Sequence, residues 1–170
     1  MLYLLDANVL ITAHNQYYPI NRIPEFWGWL RHMGERGIVK VPLEIYEEVL
    51  EGSREEEKDL LLAWCRDDEN KAAMLLGEDV DPGVVGQVIS QGYADDLTDD
   101  ELEQIGRDPF LIAYALVEST ERWVVTTEIP KPSKRRQNRK IPDVCGDFGV
   151  NCCNTFQLLR VLEFTTAWKP

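Results

Sequence analysis

Residues 2–5, "LYLL", are apolar without a break, and Asp6 follows at once. A strand with one wet face alternates apolar and polar residues. A continuous apolar run belongs to a strand covered on both faces, as in a parallel sheet packed between helices. Asp6 then falls at the carboxyl end of that strand, directly before "ANVLI". Two uses compete for it there. It can cap the helix that begins, accepting the backbone N–H of Asn8 or Val9, or it can do chemistry at the sheet edge.

The rest of the chain repeats the strand-then-helix unit. A helical "NVLITAHNQY" and an aromatic helix "PEFWGWLRHM" lead to Gly37, and "IVKVP" reads as a second short strand. Pro42 opens the helix "LEIYEEVLEG", with Ile45, Val49 and Leu50 toward one face and Gly52 as its stop. Residues from about 53 to 105 are charged and helix-prone, cut by Gly, Asp and Pro into short pieces, which predicts a helical insertion and not a separate domain. "DPFLIAYALVEST" is a strongly apolar helix, and "RWVVTTE" a third, β-branched strand closing on Glu128. A basic loop "KPSKRRQNRK" at 131–140, a short helix "IPDVCGDFGV", a strand "NCCN" and a helix "TFQLLRVLEF" complete the chain. The alternation predicts the α/β class: a three-layer α/β/α fold with a central, mainly parallel sheet and a helical insertion, its ligands gathering beyond the carboxyl ends of the strands. A length of 170 residues suits one domain, 1–170.

Charge and cysteine usage narrow the partners. A net charge of −12 opposes nonspecific affinity for nucleic acid or anionic membrane, although an average can hide a local patch. There is no apolar run near the roughly 20 residues of a membrane span and no secretory leader pattern, so the expectation is a cytoplasmic protein. Cys65, Cys145, Cys152 and Cys153 show neither disulfide density nor the C-x-x-C spacing of zinc sites, and read as reduced thiols.

Four acids fall at corresponding places: Asp6 after strand one, Glu48 on the helix after strand two, Asp108 at the start of the apolar helix and Glu128 after strand three. Each has an ordinary use alone. Asp108 before Pro109 is an expected helix cap, and Glu48 stands among Glu44, Glu47 and Glu51, a set that suits a solvated face. Capping does not require the acids to share one sheet edge, however. Two carboxylates about 4 Å apart repel by about 4 kcal/mol at an effective dielectric near 20, so such a cluster wants a cation. Oxygen ligands without converging His or Cys favour Mg²⁺ or Mn²⁺, which would lower the pKa of a bound water and neutralise charge in phosphoryl transfer. His14 and His32 receive no role.

"YLLDANVLI", "EIYEEVLEG", "RDPFLIAYAL" and "WVVTTE" resemble, in order and place, the sequence blocks of PIN domains, Mg²⁺-dependent ribonucleases that include the toxins of many toxin–antitoxin pairs. The tail "KIPDVCGDFGVNCCNTFQLLR" is similar to that of a PIN-like prokaryotic subgroup. The resemblance spans nearly the whole chain outside the insertion. It implies that Asp6, Glu48 and Asp108 are the first three metal-binding acids and Asn8 a helper polar residue. Glu48 is preferred to Glu44 and Glu47 because it stands before "VLEG". The fourth acid departs from the family, which carries aspartate where this chain has Thr126, Thr127 and Glu128. Glu128 can still reach a metal, or Asp143 can supply the ligand, or Asp143 is a turn or helix-start residue. Thr126 is either a helper that orients a water or phosphate, or simply a β-former.

Lys131, Lys134, Arg135, Arg136, Arg139 and Lys140 concentrate positive charge beside that edge. They are candidates to draw single-stranded RNA over the metal, or they form a solvated loop. The resemblance also implies a cognate antitoxin and a homodimer as partners; the rings of "FWGWL" serve such contacts or, more simply, the core. The function expected is a metal-dependent endoribonuclease. Its alternatives are a PIN-shaped, non-catalytic RNA- or protein-binding regulator and a haloacid-dehalogenase-like phosphatase, the latter lacking its second aspartate where Asn8 stands.

Overall fold

Four parallel strands form the centre, and the computed structural model describes residues 1–52 and 59–170 around them. Strand β1 is Leu2–Leu5, β2 Val39–Lys40, β3 Arg122–Val125 and β4 Asn151–Cys153, in the order β2-β1-β3-β4. Register pairs Tyr3 with Trp123 and Leu5 with Val125. Leu4, Leu5, Val124 and Val125 have no exposed surface, as the unbroken apolar run requires of strands covered on both faces.

Helices cover the two faces because the chain reverses direction at β1. The connection from β1 to β2 runs through α1 (Ala7–Thr12) and α2 (Pro24–Glu35) toward one edge. The connections to β3 and β4 run the other way, ending in α8 (Asp108–Leu116) and α9 (Ile141–Asp147). Since parallel crossovers are right-handed, opposite directions place the two sets on opposite faces, giving three layers. The reversal leaves a crevice between the carboxyl ends of β1 and β3, the usual ligand position in such sheets. The final helix α10 (Thr155–Val161) and the segment after it return to the α2 layer, where Phe164 packs on Tyr18 and Phe26 and the Trp168 indole donates to Glu25 O. Phe26, Trp27 and Trp29 of "FWGWL" are buried and belong to the core.

Between α3 (Leu43–Glu51) and α8 lie α4 (Leu60–Arg66), α5 (Asp68–Met74), α6 (Pro82–Gln87) and α7 (Asp99–Ile105). Residues 53–58, the start of the predicted insertion, lie outside the described residues. The short helices stop and start where the punctuation expects: the Asp59, Asp67 and Asp81 side chains each cap a helix, and Thr98 and Glu101 form a capping box. Cys65, Met74, Val88 and Tyr93 of this insertion join the same apolar cluster as Leu4 and Leu5. Among the described residues no helix is long and apolar enough to cross a membrane.

Of the boundaries that differ from the sequence reading, three bear on the site. The first helix does not continue as α to Tyr17. After Thr12 it widens into a π-turn, Ala13–Tyr17, closed by Tyr18 N–H bonding to Ala13 O. The apolar helix stops at Leu116, where Glu118 O takes the N–H groups of Glu121 and Arg122 to form a turn. Strand β3 ends at Val125, so Glu128 lies in the loop beyond it. The Thr126 hydroxyl accepts the Glu128 N–H at 3.1 Å, bending the chain out of the sheet.

Candidate metal centre

Asp6 is the pivot of the crevice. Asp6 is 2% exposed, and its carboxylate accepts the Thr126 hydroxyl at 2.7 Å and the Asn8 N–H at a long 3.4 Å, with the Asn8 side chain close enough to favour its charged form. Capping and placement at the edge therefore coexist, and the stronger bond is the one to β3. Burial nevertheless raises the Asp6 pKa, the surrounding hydrogen bonds only partly opposing it. Thr126 is 1% exposed, with its hydroxyl donating to Asp6 and accepting from Glu128. It positions a carboxylate.

Asp108 is not a cap. The N-cap of α8 is Arg107, and Asp108 stands in the first turn, where among the described residues its side chain accepts no helix N–H. Burial first, and then the negative charges of Asp6, Glu128 and Glu48, push its carboxyl well above the ordinary range, against the pull of Lys140. Glu48 is half-buried, and its pKa too is raised, by burial and by Asp6. Its neighbours go elsewhere: Glu47 and Glu51 pair with Arg107, which also donates to Glu44 O and so ties α3 to the start of α8.

The two contenders for the fourth place are differently engaged. Glu128 adjoins Asp6 and Asp108 electrostatically, while its own oxygens accept Lys140 Nζ and, at 2.8 Å, the Ile141 N–H. Asp143 accepts the Lys131 N–H at 2.7 Å and braces the basic loop against α9. The structure thus brings Asp6, Glu48, Asp108 and Glu128 together and places Asp143 in a loop contact.

Two further groups stand at the centre, Lys140, read from the sequence as an RNA-binding cation, and Tyr93, which the sequence reading did not single out. Lys140 faces the acids rather than solvent, and Glu128 and Asp108 raise its pKa and keep it charged. Tyr93, from a π-turn in the insertion, is 7% exposed with its hydroxyl unpartnered among the described residues, and burial and Asp108 raise its pKa. Nothing local marks Tyr93, because only packing carries the insertion to the crevice. The end of the basic run was a signal for Lys140, readable only once the loop's path is known.

The basic loop is divided. Arg136 pairs with Glu101 and Asp96, holding the Glu101 carboxyl down to about 2, and Arg139 pairs with Asp147 and donates to Gly92 O. With Lys140 on Glu128, half of the candidate RNA-binding cations hold the fold. Among the described residues Lys131, Lys134 and Arg135 make no ion pair, and Arg135 bonds only to Pro132 O and Lys134 O.

The donor set is carboxylate and hydroxyl oxygen, which suits a hard cation. Among the described residues no three His, Cys, Asp or Glu side chains stand close enough to share one ion as placed. Mg²⁺ commonly takes one or two carboxylates directly and keeps several waters. Repelling carboxylates with an unpartnered hydroxyl beside them fit a hydrated ion of that kind. The four cysteines are free, and burial pushes the Cys65 thiol up to about 12, outside the reactive range.

The sequence pattern of the family described as "Domain of unknown function (DUF4411)" matches residues 3–166. No curated protein and no solved structure matches the chain.

Proposed function

The chain belongs to the DUF4411 family, and from that premise we propose, on the acid centre itself, that it is a metal-dependent endoribonuclease of the PIN type acting on single-stranded RNA. One observation supports the reading most: Asp6, Glu48, Asp108 and Glu128 come from four separate segments to the switch point of a parallel sheet, where burial and like charge raise the proton affinity of Asp6, Glu48 and Asp108. Structural ion pairing would have mated Asp6, Glu48 and Asp108 with cations as Glu128 is mated with Lys140 and Glu101 with Arg136. Leaving Asp108 buried among like charges costs stability, a cost that a functional cation explains.

When bound, Mg²⁺ or Mn²⁺ would supply the Lewis acidity that activates a water and offsets charge on the phosphoryl oxygens. Asp6, Asp108 and Glu48 would hold it in part through its waters, because no three of these carboxylates share one ion as placed. Thr126 orients the Asp6 carboxylate, and Thr126 and Asn8 favour its ionised form against burial. Lys131, Lys134 and Arg135 attract the RNA backbone at the mouth of the crevice. Lys140 holds Glu128 against the Ile141 amide, so Glu128 acts through a water or after exchanging its lysine partner. A toxin of a toxin–antitoxin pair, held by a cognate antitoxin, working as a homodimer and located in the cytoplasm, belongs to the same proposal.

A second reading draws on that ion pair. A protein that supplies its own cation to the fourth acid can be a PIN-shaped regulator that binds RNA or protein without cleaving. The experiment that separates them incubates a labelled single-stranded RNA with the protein and Mg²⁺ or Mn²⁺, and measures Mn²⁺ binding by titration calorimetry. The nuclease reading expects cleavage that Asp6→Asn and Asp108→Asn abolish, with Mn²⁺ affinity lost in parallel. RNA binding with neither cleavage nor metal binding near pH 7.5 would leave the regulator.

A further inference from the structure

Beside the acid centre, on the α2 side of the sheet edge, a cavity of about 350 Å³ opens between the π-turn, the loop after β3 and the start of α10. Glu128 forms part of its wall, so the cavity adjoins the acid centre at that residue. Its volume lies within the roughly 300–1,000 Å³ of small-ligand clefts.

The lining pairs two open rings with unspent polar groups. Tyr17 and Phe156 are 45% and 48% exposed, large for aromatic residues. Their rings meet edge to face, with centroids 5.1 Å apart and planes at 75°. In that arrangement one ring presents an edge, and ring faces remain open for stacking. Tyr17 reaches this position at the end of the π-turn, and such turns recur where a helix must place a side chain for function. Among the described residues the Thr12 and Thr127 hydroxyls make no hydrogen bond. The Asn154 Oδ1 is committed to capping α10 through the Gln157 N–H at 2.9 Å, which leaves its amide N–H₂ to donate elsewhere.

We propose that this cavity is a nucleobase subsite that takes the base of a single-stranded RNA nucleotide neighbouring the one at the acid centre. The proposal rests on the ribonuclease reading for its register and goes beyond it in naming the recognised group. Stacking on a flat ring tolerates any base, while hydroxyls and an amide address the donors and acceptors of a base edge. A lipid tail or an aliphatic peptide side chain would have no use for three polar groups in so small a space. The RNA backbone has its counterpart next door, since Lys131, Lys134 and Arg135 follow directly on the segment that forms the cavity wall. A strand crossing the crevice can place a base on Phe156 or Tyr17 with its phosphates toward the acid centre and these cations.

The test measures binding without cleavage. Fluorescence anisotropy of a labelled single-stranded oligoribonucleotide is followed in chelator, with wild-type protein and with Phe156→Ala, Tyr17→Ala and Phe156→Trp. An otherwise identical strand of abasic nucleotides serves as a second probe. Both residues are solvent-exposed, so their removal is tolerated by the fold, which circular dichroism checks. The expected result is a Kd raised about tenfold by Phe156→Ala, the worth of one stacked base. Phe156→Trp should restore it, and the abasic strand should bind wild type and Phe156→Ala alike. An RNA affinity indifferent to both rings, or an abasic strand bound as tightly as the natural one by wild type, overturns the proposal and leaves the cavity to a protein partner. Ring-dependent binding without cleavage in Mg²⁺ or Mn²⁺ would sustain the subsite and sink the nuclease reading. Cleavage that is unaffected when ring-independent binding is found would do the reverse.

Discussion

Thr126 does the most with the fewest atoms: one hydroxyl orients the Asp6 carboxylate and, by accepting the Glu128 N–H, ends a strand. Thr126→Val keeps the shape and removes both bonds. It should destabilise the fold by about 1–3 kcal/mol, the cost of leaving a buried polar group unsatisfied, while Thr126→Ser stays near wild type; urea unfolding measures both. Tyr93 is the opposite case, a buried hydroxyl that bonds to nothing among the described residues. Tyr93→Phe relieves that burden and should raise metal-free stability by about 1 kcal/mol in the same assay. If the stability gain comes with weaker Mn²⁺ binding, the hydroxyl belongs to the centre and not only to the core.

At the scale of elements, close approach sets the limits. Helix α2 touches α5 so tightly at Gly34 that a β-carbon there would lie 2.7 Å from the Ala73 carbonyl oxygen and 2.9 Å from the Met74 sulfur. Backbone cannot yield as a flexible side-chain tip can, so Gly34→Ala should cost about 1–3 kcal/mol, read as a lowered Tm in calorimetry, with no change in the acid centre. The basic loop shows how charge serves two ends at once. Arg136 holds a positive φ of 54°, a costly backbone for a side chain of its size, and its ion pairs to Asp96 and Glu101 hold it there. A loop pinned in this way presents Lys131, Lys134 and Arg135 at a defined place beside the crevice.

The whole molecule carries the electrostatic consequence. Asp6, Glu48 and Asp108 bind protons more tightly when folded than when unfolded. Between the ordinary carboxylate range, near pH 4, and their raised folded pKa values, the unfolded chain holds fewer protons. Stability of the metal-free protein therefore falls as pH rises through that window and flattens above it. Urea unfolding in chelator should give a higher midpoint at about pH 5 than at about pH 8. Added Mg²⁺ should recover the difference at the higher pH, because it binds the ionised carboxylates of the folded state alone. Asp108→Asn should flatten the pH dependence and abolish the Mg²⁺ effect together, which separates this centre from the general repulsion of a chain of net charge −12.

Periodicity and punctuation were enough to read the α/β class, the strand-then-helix order and the capped helices of the insertion, because these depend on neighbours within a few residues. The unbroken "LYLL" already required a sheet covered on both faces, and the acids at strand and helix ends already suggested a shared edge. Local signals could not say which of the cations in "KPSKRRQNRK" would be spent on the fold, that Lys140 would turn inward onto Glu128, or that Tyr93 would arrive from the insertion. Nor could they place Asp143 in a loop contact, or show that Asp108 is no cap and Glu128 lies beyond its strand. Those outcomes depend on groups up to 120 residues apart along the chain, as Thr126 and Asp6 are, and burial and charge settle such pairings only once the sheet has brought them together.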